Sequence, residues 1–295
     1  RIFDNQALIK AFSLSNAITS TYILDKNYSH DFNANSRAWF LGNSLQELGN
    51  NWGKMGSRLI IEEGDPILII PQLAKTIDAK FVFWNKSIEP YEINRDLQIK
   101  KYLKEINIKV IESWDHLLIN PSEIFSGNNK PYSVYGPFYK NLKSKINLLG
   151  PYDENKVSFK FKDIDNNLKE NKTIKSSVKV LNKFLKNIKF TGSNICPCRP
   201  GENAAKTLLE NFINAKKIYS YNSARDFPSH NGTSFLSASL RFGTISIRKV
   251  WNSTLNLNSD FGNQENYLSI ETWQKELIWR EFYQHCLFHF PELEK

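Results

Sequence analysis

Arg58-Leu59-Ile60-Ile61-Glu62-Glu63-Gly64-Asp65-Pro66 is the stretch on which the fold turns. Arg58 to Glu62 carries a β-branched, aliphatic run that reads as a strand. Asp65-Pro66 then opens a helix, with a capping carboxylate and a proline in the first turn. The same unit recurs to either side. Upstream, residues 7–13 read as a helix and Ile18 to Leu24 as a strand. A second helix, capped by Asn35 or Ser36, runs through Trp39, Leu41, Leu45 and Leu48 until Gly53 or Gly56 stops it. Downstream, Lys80 to Trp84 is a strand, Tyr91 to Glu105 a helix and Lys109 to Glu112 a strand. This alternation predicts a parallel, doubly wound α/β domain over residues 1–120. It contains no Gly-x-Gly-x-x-Gly and no Lys-bearing phosphate loop, so a Rossmann-type dinucleotide site is not predicted there.

Residues 121–200 read as a connector, punctuated by Pro121, Gly127, Pro131, Gly136, Pro137, Gly150 and Pro151 into an irregular surface crossover. Within it Leu181, Phe184, Leu185 and Ile188 share one helical face, and Lys179, Lys183 and Lys186 a solvated one. Cys196-Pro197-Cys198 lacks the spacing and partner pair of a zinc site and reads as incidental. From Gly201 the periodicity turns helical, starting with Glu202, Ala205, Leu208, Leu209 and Phe212. Residues 201–295 are therefore expected to be all-α.

Composition narrows the function class. The 295 residues suffice for two domains with separate cores, and 41% apolar with 23% charged residues argues against disorder. No apolar run is long enough to span a bilayer, so no membrane partner is expected. Three cysteines suit a reducing cytoplasm better than a disulfide framework. A net charge of +9 suits a polyanionic partner, nucleic acid being the commonest.

Two stretches carry chemistry. In the first, Trp273, Glu276, Arg280 and Tyr283 share one helical face with Trp279 at its margin. Indoles beside a carboxylate and a guanidinium suit a flat heteroaromatic ligand; an aromatic core helix with a satisfied Glu-Arg pair is the other reading. In the second, Thr233-Ser234-x-Leu236-Ser237 follows Gly232 and opens an apolar helix. Unpaired amides and hydroxyls there suit a diphosphate, or form an ordinary helix cap. Glu281, His285 and His289 share a spacing that admits a metal, yet without a second shell they read as packed or surface residues, and no metal is expected.

Further motifs follow in one order along the chain. They are Trp84-Asn85, Glu89-Pro90-Tyr91, Arg95-Asp96 and Pro131-Tyr132-Ser133-Val134-Tyr135-Gly136-Pro137-Phe138. Later come Tyr221-x-x-x-Arg225-Asp226-x-Pro228, Gly232 to Ser237 and Leu240-Arg241-Phe242-Gly243-Thr244-Ile245-Ser246. Together with the 273–283 stretch they resemble the DNA photolyase and cryptochrome family, most of all microbial class I cyclobutane pyrimidine dimer photolyases.

That resemblance implies an antenna domain followed by an all-α FAD-binding domain, and light-driven dimer repair in UV-damaged DNA by a monomer. Thr233, Ser234, Phe235, Leu236 and Ser237 would hold the FAD diphosphate, with Tyr221, Trp273, Glu276 and Arg280 enclosing the cofactor. Glu276 and Trp279 would meet the dimer, and Arg225, Trp279, Arg280 and Tyr283 the DNA. Arg37 and Arg241 would contact an antenna chromophore, either 8-hydroxy-deazaflavin or methenyltetrahydrofolate; Ser87 stands where deazaflavin-binding relatives carry Asp. The alternative is a cryptochrome-type photoreceptor without repair, against which Trp279 with Glu276 argues. The resemblance also implies a first strand ahead of Arg1 and further flavin-binding helices after Lys295. On that expectation residues 1–295 alone bind FAD weakly and do not repair DNA.

Overall fold

The computed structural model describes residues 1–15, 17–25, 34–150, 152, 177–194, 196–255, 257 and 264–294. The first 113 residues alternate as the hydrophobic pattern predicts: α1 Gln6–Leu14, β1 Ser20–Leu24, α2 Asn35–Lys54, β2 Leu59–Glu63, α3 Pro66–Thr76, β3 Phe81–Asn85, α4 Pro90–Glu105 and β4 Lys109–Ser113. Asp65 caps α3 by accepting from the Ile67 amide at 2.9 Å, with Pro66 in the first turn. The start of α2 differs from expectation. Ala34 holds its N-cap without a side-chain bond, and Asn35 Oδ1 instead accepts from the Lys189 amide at 3.1 Å. At its far end Gly56 takes φ +81°, a left-handed turn that a Cβ disfavours.

Among the described residues all strand pairing is parallel. Ser20 to Leu24 pair with Leu59 to Glu63, and Phe81 to Asn85 with Lys109 to Ser113. Among the described residues these are two two-stranded sheets, each with its own apolar cluster. Leu24, Leu59 and Ile61 pack with Leu41, Leu45 and Trp52 of α2. Ile99, Leu103 and Ile108 pack with Val82, Trp84 and Val110.

The connector is more regular than its Pro and Gly content suggested. It contains α5, Tyr135–Leu149, and α6, Ser177–Lys186. Leu181 of α6 is buried and Lys179, Lys183 and Lys186 are exposed, as the periodicity predicts. Ser177 Oγ accepts from the Ile61 amide at 2.8 Å, and Lys183 pairs with Glu63 at 3.1 Å, so α6 lies against β2. Helix α5 instead buries Phe138, Leu142 and Ile146 in the C-terminal core.

That core is built from α7 Glu202–Asn214, the short α8 Tyr221–Ala224 and α9 Ser237–Arg241, α10 Ile247–Leu255, and α11 Gln264–His289. Ser269, Ile270, Trp273, Gln274, Leu277, Ile278, Glu281, Phe282 and His285 form one buried stripe along α11. Each fully buried aliphatic or aromatic side chain there contributes about 1.5–3 kcal/mol. Helix α11 ends at His289, one residue short of the position before Pro291.

Two polar seams join the α/β part to the helices. Glu202, at the start of α7, accepts the amides of Ile2 and Phe3, both at 2.9 Å. Gly201 holds φ +101° beside Glu47, where a Cβ would stand 2.0 Å from Oε2. In the second seam Arg248 of α10 pairs with Asp4 at 3.1 Å and Asp115 at 2.9 Å, and donates to both residues' carbonyls. Arg1 adds a 2.6 Å pair to Asp115. Burial works to raise the Asp115 pKa, but the Arg1 and Arg248 guanidiniums hold the carboxyl below its usual value.

Candidate functional site

A cavity of about 780 Å³ lies where the strand ends meet the helices. Its helical wall comes from α11, where Trp273, Glu276, Leu277, Arg280 and Gln284 recur at intervals of three and four and face inward together. Trp273 is 3% exposed, and its indole lies 5.1 Å from the Phe212 ring at 41°. Arg280 donates to the His116 carbonyl at 2.8 Å and pairs with Glu281 at 3.1 Å. Burial, offset by Glu281, lowers the Arg280 pKa below its usual value.

Tyr221 lines the cavity, and Arg225 lies over its ring at 5.6 Å. Arg225 Nη1 is also bonded to Glu276 Oε1. That hydrogen bond comes first among the causes raising the Arg225 pKa. Gly232 lets the following loop lie against α8: a Cβ there would sit 2.4 Å from Ala224 Cβ.

Ser234, Leu236 and Ser237 face the cavity; Thr233 and Phe235 do not line it. Phe235 takes φ +54° and Leu236 returns to the right-handed region. Such a change of hand turns successive amides toward one side. Among the described residues the amides of Phe235, Leu236 and Ser237 find no acceptor within the protein. Consecutive unclaimed donors beside two hydroxyls favour an anion.

The opposite wall was not foreseen. It comes from residues at the carboxyl ends of β1 and β3: Tyr22, Ile23 and Asp25 on one side, Asn85, Lys86 and Ser87 on the other. In open α/β sheets ligands sit outside these ends, so the residues following each predicted strand carried the available signal. Asp25 accepts from the Tyr91 hydroxyl at 2.8 Å; burial and this bond push the Tyr91 pKa up to about 12. Arg241 lines the cavity and pairs with Glu89 at 2.5 Å. Arg37 is exposed near the start of α2 and does not line the cavity. His116 was also missed; burial, with Arg280 nearby, pushes its pKa down to about 4.

Trp279 and Tyr283 point away from this cavity into an aromatic platform. Tyr135 stacks on Trp279 with centroids 3.5 Å apart and planes 4° from parallel, and Tyr283 flanks it at 5.6 Å and 26°. Tyr283 is 65% exposed. The Glu281, His285 and His289 side chains are engaged by the 116–132 segment. Glu281 accepts from the Leu118 amide at 2.8 Å, His285 Nε2 from the Tyr132 amide at 3.0 Å, and His289 Nε2 contacts the Pro121 carbonyl at 3.2 Å.

Comparison with known proteins agrees with this arrangement. A family model described as DNA photolyase matches residues 1–156. A deoxyribodipyrimidine photo-lyase of Synechococcus sp. (strain PCC 6301) is 37% identical over 99% of this chain and 59% of its own length. An uncharacterized 31.6 kDa protein of Synechococcus sp. (strain PCC 6716) is 32% identical over 96% of this chain and 95% of its own. Among solved structures, a class III photolyase from Agrobacterium tumefaciens superposes with a TM-score of 0.81 at 30% identity, over 99% of this chain and 58% of that one. The chain thus spans less than two thirds of either photolyase.

Proposed function

The chain belongs to the DNA photolyase family, and from that premise we propose that it holds FAD in the 780 Å³ cavity and serves light-driven reversal of cyclobutane pyrimidine dimers. The observation that carries this reading is the 234–237 loop, with three consecutive amides that find no acceptor among the described residues, beside the Ser234 and Ser237 hydroxyls. A diphosphate accepts from such donors without needing a paired cation. The apolar share of the same wall, from Trp273, Leu236, Leu240 and Leu277, suits a flat ring system. The residues present therefore fit FAD.

FAD held there would supply the chemistry of light-driven electron transfer to the dimer. The chain's own residues do the positioning. Trp273 and Tyr221 enclose the cofactor, and Arg280, anchored on the His116 carbonyl, presents fixed donors to its polar edge. Arg225 and Glu276 are paired here, so a DNA phosphate reaching Arg225 competes for the guanidinium and frees the Glu276 carboxylate for a base edge. Tyr135 fixes the Trp279 plane, and the platform it forms with Tyr283 gives an extruded dimer a stacking surface. The lobe at the β1 and β3 ends, bordered by Arg241 and Ser87 but not Arg37, accepts the antenna chromophore.

The complete gene product, purified in the dark, tests this reading through its absorbance spectrum and its reversal of dimers in UV-irradiated oligothymidylate under blue light. Bound flavin with reversal supports it, and the second absorbance band separates a deazaflavin from a folate antenna. Bound flavin without reversal favours the photoreceptor alternative. Absence of flavin refutes the site.

A further inference from the structure

Cys196 and Cys198 sit one residue apart where the chain bends through Pro197, ahead of α7. Cys196 Sγ donates to the Cys198 carbonyl at 3.4 Å, which folds the first thiol back over the second residue. Both are half-buried free thiols, while Cys286 belongs to α11. Cys198 Sγ donates to the Phe235 carbonyl at 3.4 Å. Among the described residues this is the one side-chain hydrogen bond made to residues 232–236, and it holds the residue with φ +54°. A left-handed, non-glycine residue costs about 1–3 kcal/mol and persists only where its surroundings hold it.

We propose that Cys196 and Cys198 form a reversible dithiol–disulfide pair whose oxidation releases the 233–237 loop. The oxidant is hydrogen peroxide. One thiolate attacks a peroxide oxygen, the O–O bond breaks, and a sulfenic acid and water form. The second thiol then attacks the sulfenic sulfur, the S–S bond forms and a second water leaves. Two electrons and two protons pass from the thiols to the peroxide. The Cys198 S–H is consumed, and its bond to Phe235 with it. So short a ring is strained, and strained disulfides are the reducible, regulatory kind. Burial, followed by the neighbouring Cys196, raises the Cys198 pKa, which keeps the donor protonated in the reduced state.

The proposal builds on the loop's role as the flavin seat, but its test needs no flavin. The reduced chain titrates all three cysteines. After hydrogen peroxide one thiol should remain, with a mass lower by two hydrogens and no covalent dimer, and dithiothreitol should restore the rest. Hydrogen exchange at the Leu240 amide, which donates to the Leu236 carbonyl at 2.8 Å and so reports on the loop's end, should quicken at least about threefold on oxidation. Cys286→Ser should behave likewise with no thiol left. Cys198→Ser, whose hydroxyl still reaches the Phe235 carbonyl, should keep the slow exchange and be insensitive to peroxide. Sulfinic acid on separate cysteines, a dimer linked through Cys286, or an internal disulfide with unchanged exchange overturns the proposal.

Discussion

Arg248→Met should cost about 3–5 kcal/mol at neutral pH, the range for removing one partner of a buried charge cluster. Arg248 is 7% exposed and serves two carboxylates that are themselves buried, Asp4 at 1% and Asp115 at 3%. Methionine fills much of the same volume, so the loss isolates charge from packing. Asp115 keeps Arg1 at 2.6 Å and the Gln6 amide at 3.1 Å, whereas among the described residues Asp4 keeps neutral donors, Ser246 Oγ and Gln6 Nε2. Most of the penalty therefore falls on Asp4. In the native chain the depressed Asp115 pKa adds stability above the unfolded value of 3.8, lost as pH falls through the lower folded value. Without Arg248 the burial of Asp115 is opposed by Arg1 alone, so that carboxyl moves toward protonation and the penalty should shrink by about pH 5. Urea unfolding followed by tryptophan fluorescence, with comparable m-values, measures the difference at pH 7.5 and 5. Adding Asp4→Asn should recover part of the loss. A cost below about 1 kcal/mol at pH 7.5, or one equal at both pH values, would refute the reasoning.

Other expectations follow from the same buried polar groups and from the platform. Burial, against Arg280 and two backbone amides, pushes Glu281 up to about 7, so the native fold loses stability as pH rises from about 4.5 to 7. Glu281→Gln keeps an acceptor for Leu118 and should gain up to about 3 kcal/mol above pH 7, read from chemical denaturation at pH 5 and 8. Burial, reinforced by His289, pushes His285 down to about 4, so its contribution is present above 6.5 and lost as pH falls through the folded value. His285→Gln should flatten that acid limb in denaturation between pH 6.5 and 4. In the complete protein Trp279→Ala should cost about 1–3 kcal/mol of affinity for dimer-containing DNA. Because Trp279 does not line the cavity, flavin absorbance should be unchanged, and fluorescence anisotropy with a labelled duplex checks the pair.

The strands, the Asp65 cap and the inward face of Trp273, Glu276 and Arg280 were legible in the sequence because each depends on neighbours within a few residues. A period of two or of three to four declares which side meets the core, whatever lies opposite. The serines of the 234–237 loop were legible for the same reason, their hydroxyls lying beside local amides. Tertiary structure alone decided that Arg225 pairs with Glu276, 51 positions away, and Asp4 with Arg248, 244 positions away. A surface charge has many equivalent partners, and only folding places one of them nearby and removes the water. Trp279 looked like a margin of the ligand face until Tyr135 met it, and Tyr22, Asp25 and Lys86 looked like strand ends until they bordered a cavity with Arg280. Helix α5 was obscured by the prolines and glycines counted around it, because punctuation marks where a chain turns and says little about what packs between the turns, whereas the lysine and leucine faces of α6 were legible. Local pattern determined the elements and their faces, and burial between distant segments decided which faces became a site.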